Sequence, residues 1–253
     1  LVAATGTVTS AYAVDVVAFG IVVWAMFRLP SLPPIVLPGQ ERPRAGWAAV
    51  KVGFAFLAGK RNLQMTFYQD IIAMVFGMPR ALFPAIAAQW YGGTTQQIAF
   101  TLGMLSAAPA LGALVSGVTS GWLGQVRMQG RAIVLAIVVW GMAIACFGMV
   151  RWLPLALLFL AVAGAADNVS AVFRTTILQT ATPDEYRGRL QGVFTVVVAG
   201  GPRLGDVEAG AVAALAGETF SVISGGIACV VGSVGLAAKF PSFWRYDARH
   251  PVP

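Results

Sequence analysis

The chain has 253 residues, 58% of them hydrophobic and only 11% charged, a balance that excludes an ordinary soluble domain. Lys and Arg number 17 against 10 Asp and Glu, giving a formal net charge of +7. The basic residues sit at one end of each apolar stretch, so the charge follows membrane orientation and calls for no nucleic acid.

Seven stretches lack the charge density of soluble helices: 1–27, 63–90, 98–123, 132–150, 153–172, 190–216 and 219–238. Between Arg80 and Arg127 there is no charged side chain at all. A hydrocarbon core about 30 Å thick needs about 20 apolar residues as helix, so each stretch qualifies or nearly does. Continuous runs argue against a barrel, whose strands alternate. The predicted fold class is an all-α integral membrane protein with about seven transmembrane helices.

The first stretch begins at Leu1 without the basic flank and small-residue cleavage site of a signal peptide. The chain is read as a fragment of something longer. Pro30, Pro33, Pro34, Pro38 and Pro43 make the following segment an extended linker. Next, Trp47, Val50, Phe54 and Leu57 recur at helical spacing beside Lys51, Lys60 and Arg61, the pattern of an interfacial amphipathic helix.

Short loops then force antiparallel neighbours. Thr182, Pro183 and Glu185 predict a capping box that starts a helix. Gly117 with Gly121, Ala161 with Ala165, and Gly201 with Gly205 are spaced for close helix contact. With the 28–61 segment cytoplasmic, alternation places Arg127, Arg131, Arg174, Arg187, Arg189, Lys239, Arg245 and Arg249 inside and leaves Arg151 outside. His250 falls in a solvated tail.

Ionisable residues within apolar spans cost several kcal/mol unless paired or hydrated. Asp15, Asp70, Arg80, Asp167, Arg203, Asp206 and Glu208 are such residues. Arg203 lies about 21 Å along its helix from Arg189, and Asp167 a similar distance from residue 153, which sets both near the midplane. Arg203 and Asp206, three apart, share a helix face and are expected to pair, while Glu208 points elsewhere. A carboxylate held partly out of water suits proton coupling, and Asp206 or Glu208 is the candidate. Asp70 and Arg80 are about 15 Å apart in one helix, so Asp70 is expected to contact a neighbouring helix. Arg80 is placed at the cavity mouth, and Asp167 with Asn168 is the polar pair suited to lining a cavity.

Phe67, Tyr68, Phe76, Phe173 and Phe194 are read as packing or lipid-facing. Cys146 and Cys229 have no Cys or His at ligand spacing, and no phosphate loop, zinc-binding His pair or serine nucleophile signature appears. No catalytic site, cofactor or metal is predicted, and an enzyme is disfavoured.

Three runs carry a family resemblance. They are Asp70-Ile-Ile-Ala-Met-Val-Phe-Gly-Met-Pro79-Arg80-Ala-Leu-Phe-Pro84, Leu178-Gln-Thr-Ala-Thr-Pro183-Asp184-Glu185-Tyr-Arg187-Gly188-Arg189, and Gly200-Gly-Pro-Arg203-Leu-Gly-Asp206-Val-Glu208-Ala-Gly210. Together they resemble the enterobactin-exporter-like and drug-efflux branch of the major facilitator superfamily. The resemblance implies that 1–27 is the family's sixth helix, 28–61 its central cytoplasmic loop with an amphipathic helix, 62–240 its six-helix C-terminal bundle and 241–253 a cytoplasmic tail. It further implies a multi-pass protein of the bacterial inner membrane, exporting amphipathic drug- or siderophore-like molecules by proton antiport and alternating access. Its partners are then membrane lipid, a small-molecule substrate, protons and the missing N-terminal helices.

The loop candidates for gating are Arg127, Arg131, Asp184, Glu185, Arg187 and Arg189. In the family's repeated gating motif an acid precedes the basic residues. Here Gln125 stands at that place, with two extra residues before Gly130, which removes an Asp-based latch. The alternative function is a remnant with a structural assembly role only.

Overall fold

The computed structural model describes residues 8–29 and 46–250. They are helical: the long helices are α1 (Val8–Arg28), which stands apart, and α3 (Arg61–Phe76), α4 (Thr95–Val118), α5 (Gln129–Met149), α6 (Leu153–Thr180), α7 (Asp184–Ala216) and α8 (Glu218–Lys239), which form a bundle. The shorter α2 (Trp47–Leu57) precedes α3. Among the described residues, five stretches are long and apolar enough to cross a membrane: Arg61–Tyr91, α4, α5, α6 and α8. The proline-rich segment 30–45 and residues 251–253 lie outside the described residues.

The span after α3 is broken. Pro79 has no N–H to donate and its ring disfavours the preceding helix, so the chain passes through a tight turn at Pro79–Leu82; a wide turn follows at Ala87–Tyr91. Two helix starts differ from the expectation. At Thr182 no capping box forms, because Pro183 occupies the cap position and no side chain caps the helix. The capping box is instead at Thr94: its backbone N–H donates to Gln97 Oε1 at 2.8 Å, and its hydroxyl oxygen accepts from the Gln97 N–H at 3.4 Å.

Packing rests on glycine where backbones cross. A Cβ on Gly112 of α4 would overlap the Ala161 backbone of α6, and one on Gly164 the Pro109 backbone. Gly201 and Gly205 of α7 lie against Met74 of α3, as their spacing predicted. The Gly117 and Gly121 pair makes no such contact: a Cβ on Gly117 meets only Asn168 Nδ2 at 3.9 Å, and Gly121 faces open space.

α5 packs on α6 and α8, α4 packs on α6, and α3, α7 and α8 form the opposite side of the bundle. α6 and α7 barely touch, which leaves a cleft of about 320 Å³ bounded by Gln179, Arg187, Gln191 and Phe194. α1 is exposed at every described side chain, Asp15 included.

α2 lies across α7, with Val50 and Leu57 inward and a Cβ on Gly53 only 2.8 Å from the Arg189 carbonyl oxygen. Trp47 and Phe54, which the helical stripe grouped with Val50 and Leu57, remain exposed. The aromatic residues divide in the same way: Phe67 and Phe173 are buried in the core, and Tyr68 and Phe76 are exposed.

The segment after α8 is packed rather than solvated. Phe243 and Tyr246 are buried, the Phe243 carbonyl abuts Gly130, and the Ala248 N–H donates to the Arg127 carbonyl at 2.9 Å. Only its end behaves as expected, with His250 exposed.

Candidate functional site

α6 runs two turns past residue 172, where the apolar stretch stops, and Thr176 and Thr180 donate their hydroxyls back to the Val172 and Thr176 carbonyls, at 2.8 Å each. That extension carries Arg174 into the bundle. Its guanidinium is buried, with Nη1 3.0 Å from Asp70 Oδ1 of α3 and Nη2 3.6 Å from Asp167 Oδ1, two turns earlier on α6. Asp70 is buried and Asp167 about one-third exposed.

Asp70 thus meets a neighbouring helix as expected, and Asp167 is drawn to the same cation. Sequence reasoning placed Arg174 at the cytoplasmic face and missed it as a site residue. The available signal was its position seven residues after Asp167, on one helix face.

The contact is an ion pair by distance without the alignment of a hydrogen bond: Asp70 Oδ1 and Arg174 Nη1 and Nε have no hydrogen-bond partner. One cation therefore faces two carboxylates across a largely apolar interior. Protonating either acid weakens its attraction to Arg174 and leaves the other as sole counter-ion.

Around this cluster, Asn168 donates to Ser116 Oγ of α4 at 3.3 Å. Asp167 and the exposed Arg80 also border a cavity of about 30 Å³ with Met78, Pro79, Trp140 and Gly164. That volume suffices for a water molecule, which needs roughly 10–15 Å³ by this measure.

The α7 candidates lie elsewhere. Arg203 approaches Asp206 Oδ2 at 3.8 Å, so the pair forms, yet Arg203 is 84% exposed. Gly201 and Gly205 occupy the face of α7 that meets Met74, and Arg203 points away from it. It does not meet Asp167. Glu208 is half-buried on the same helix and joins no ion pair among the described residues.

The loop candidates do not converge on one latch. Asp184 pairs with Arg187 at 2.7 Å, Arg187 Nε donates to the Gln179 carbonyl at 3.1 Å, and Glu185 is exposed. The Arg189 guanidinium stacks over Tyr186 at 5.3 Å, Arg131 stacks over Trp244 at 5.2 Å, and the Arg127 carbonyl holds the C-terminal segment. At the other end, Arg151 lies 3.7 Å above the Trp90 ring and donates to Thr219 Oγ1 at 2.6 Å. Among the described residues, no group of His, Cys, Asp and Glu is arranged to hold a metal ion.

A polytopic helical bundle with charge paired inside it is the architecture of a membrane transporter domain. The chain belongs to the transmembrane secretion effector family of the major facilitator superfamily, whose model matches residues 1–250. It is similar to the enterobactin exporter EntS of Citrobacter koseri, with 28% identity over 250 residues covering 99% of this chain and 58% of that protein. The enterobactin exporters of Escherichia coli O81 and O139:H28 are each 29% identical over 251 residues, with the same coverage. The chain therefore spans little more than half the length of these relatives. No solved structure matches it significantly.

Proposed function

We propose that this chain provides the sixth helix, the central loop and the six C-terminal helices of a proton-coupled exporter of amphipathic organic molecules in a bacterial inner membrane. The carrying observation is Arg174 held between Asp70 and Asp167. A proton taken by Asp70 releases Arg174 from α3 to Asp167 on its own helix, and α3 and α6 are then free to shift relative to each other, the element that alternating access needs. The names of the relatives, enterobactin exporters, favour a siderophore-like substrate.

A second body is supported by α7. Arg203 stands about 28 Å along the helix from Asp184, near mid-membrane depth, and is exposed. A charge there is disfavoured against lipid, so water or a second set of helices belongs on that face, with Arg80, Asp206 and Glu208 toward the cavity.

The test is substrate flux in vesicles under an imposed proton gradient. The 253-residue chain alone gives no flux above empty vesicles, and co-expression with a matching N-terminal half restores it. In that assembly Asp70→Asn and Asp167→Asn abolish gradient-driven transport while retaining gradient-free exchange. Gradient-driven flux that survives both substitutions overturns the coupling role.

A further inference from the structure

Where α2, α3 and α7 meet, Phe54, Leu57, Phe67, Ile71, Val193 and Val197 wall a groove of about 330 Å³. Its polar lining is Gln64, whose Nε2 donates to the Leu57 and Ala58 carbonyls at 2.8 Å each, and the Tyr68 hydroxyl. The groove therefore has a hydrocarbon interior and few groups to orient a polar molecule.

Two cations share helix faces with its lining. Lys51 precedes Phe54 by three residues and Ala58 by seven, which puts it on the groove face of α2. Arg61 precedes Gln64 by three and Tyr68 by seven, which puts it on the groove face of α3. Both are exposed, and neither is in an ion pair among the described residues. Residues 46–69 contain no Asp or Glu to neutralise them.

Beside them Lys60 sits 5.7 Å over Phe56, Phe56 stacks on Tyr186 at 4.2 Å, and Arg189 covers the far face of the column. Among the described residues these two cations join no ion pair either.

Position decides what fits. Arg61 is the first residue of the Arg61–Tyr91 membrane stretch, and Ile71 lies about 15 Å further along the helix. Positive charge at the membrane boundary with an apolar slot running inward complements an amphiphile with an anionic head and a hydrocarbon tail. We infer that this groove binds an anionic phospholipid, its phosphate between Lys51 and Arg61 and one acyl chain between α3 and α7 beneath α2. α2 is then the lid of a lipid site as well as a strap across α7.

The experiment is native mass spectrometry of the detergent-purified chain titrated with phosphatidylglycerol or phosphatidylcholine of identical acyl chains. Wild type retains phosphatidylglycerol preferentially. The double variant K51Q/R61Q loses about twenty-five-fold in affinity for it, two factors of about five, with phosphatidylcholine binding unchanged. V197W fills the slot and releases the lipid. R245Q/R249Q, with the same loss of charge at other exposed positions, binds as wild type.

Equal retention of the two lipids, or undiminished phosphatidylglycerol binding by K51Q/R61Q, overturns the proposal. Displacement of the lipid by millimolar inorganic phosphate alone also overturns it, by reducing the site to a simple anion site. Binding of neither lipid, with a dimer that V197W dissociates, assigns the groove to a second copy of the chain.

Discussion

The Arg174 guanidinium lies 3.0 Å from the Asp70 carboxylate with both side chains buried, and this one ion pair joins α6 to α3 across an interior where those helices otherwise touch little. Its second neighbour, Asp167, makes Arg174 a shared counter-ion.

Removal of that counter-ion strands two acids. Arg174→Ala is expected to destabilise the bundle by about 3–5 kcal/mol, the usual cost of breaking a buried pair on one side. The triple variant Arg174→Ala, Asp70→Asn, Asp167→Asn recovers most of the loss, because no uncompensated charge remains. Thermal unfolding in detergent measures both, and a triple variant as unstable as the single one contradicts the pairing.

Arg203→Ala gives the opposite result. Its pair with Asp206 is 3.8 Å long and Arg203 is 84% exposed, so the substitution shifts detergent stability by no more than about 0.5 kcal/mol. A loss comparable to that of Arg174→Ala contradicts the outward placement of Arg203.

Two glycines on α4 separate packing from propensity. Gly112→Ala drives a Cβ into the Ala161 backbone and is expected to cost about 1–3 kcal/mol. Gly103 has open space around it, so Gly103→Ala is neutral or gains up to about 1 kcal/mol from reduced backbone freedom in the unfolded chain. Equal effects from the two substitutions contradict the α4–α6 crossing.

The one-sided placement of Arg and Lys predicts topology. Cysteines substituted for Arg127 and Arg187 are shielded from an impermeant thiol reagent in intact cells, and one at Gly93 is labelled. External labelling at position 187 reverses the orientation.

The sequence alone determined the membrane class, because about 20 consecutive apolar residues leave the backbone no other solution in lipid than a helix. It also marked Gly201 and Gly205 as a close contact and Asp70 as needing a partner from another helix, since a lone carboxylate inside a bundle demands one. Tertiary structure decided which partner. Apolarity ends at residue 172 but α6 continues to Thr180, with Arg174 buried against Asp70 of α3, a contact between helices that no apolar run announces. The same holds for Arg203, whose depth is fixed by its distance along the chain while its facing is fixed by which side of α7 meets Met74. Helical periodicity gives depth and relative angle; only the packed neighbour sets the absolute rotation of the helix, and with it whether a charge points into the bundle or out of it.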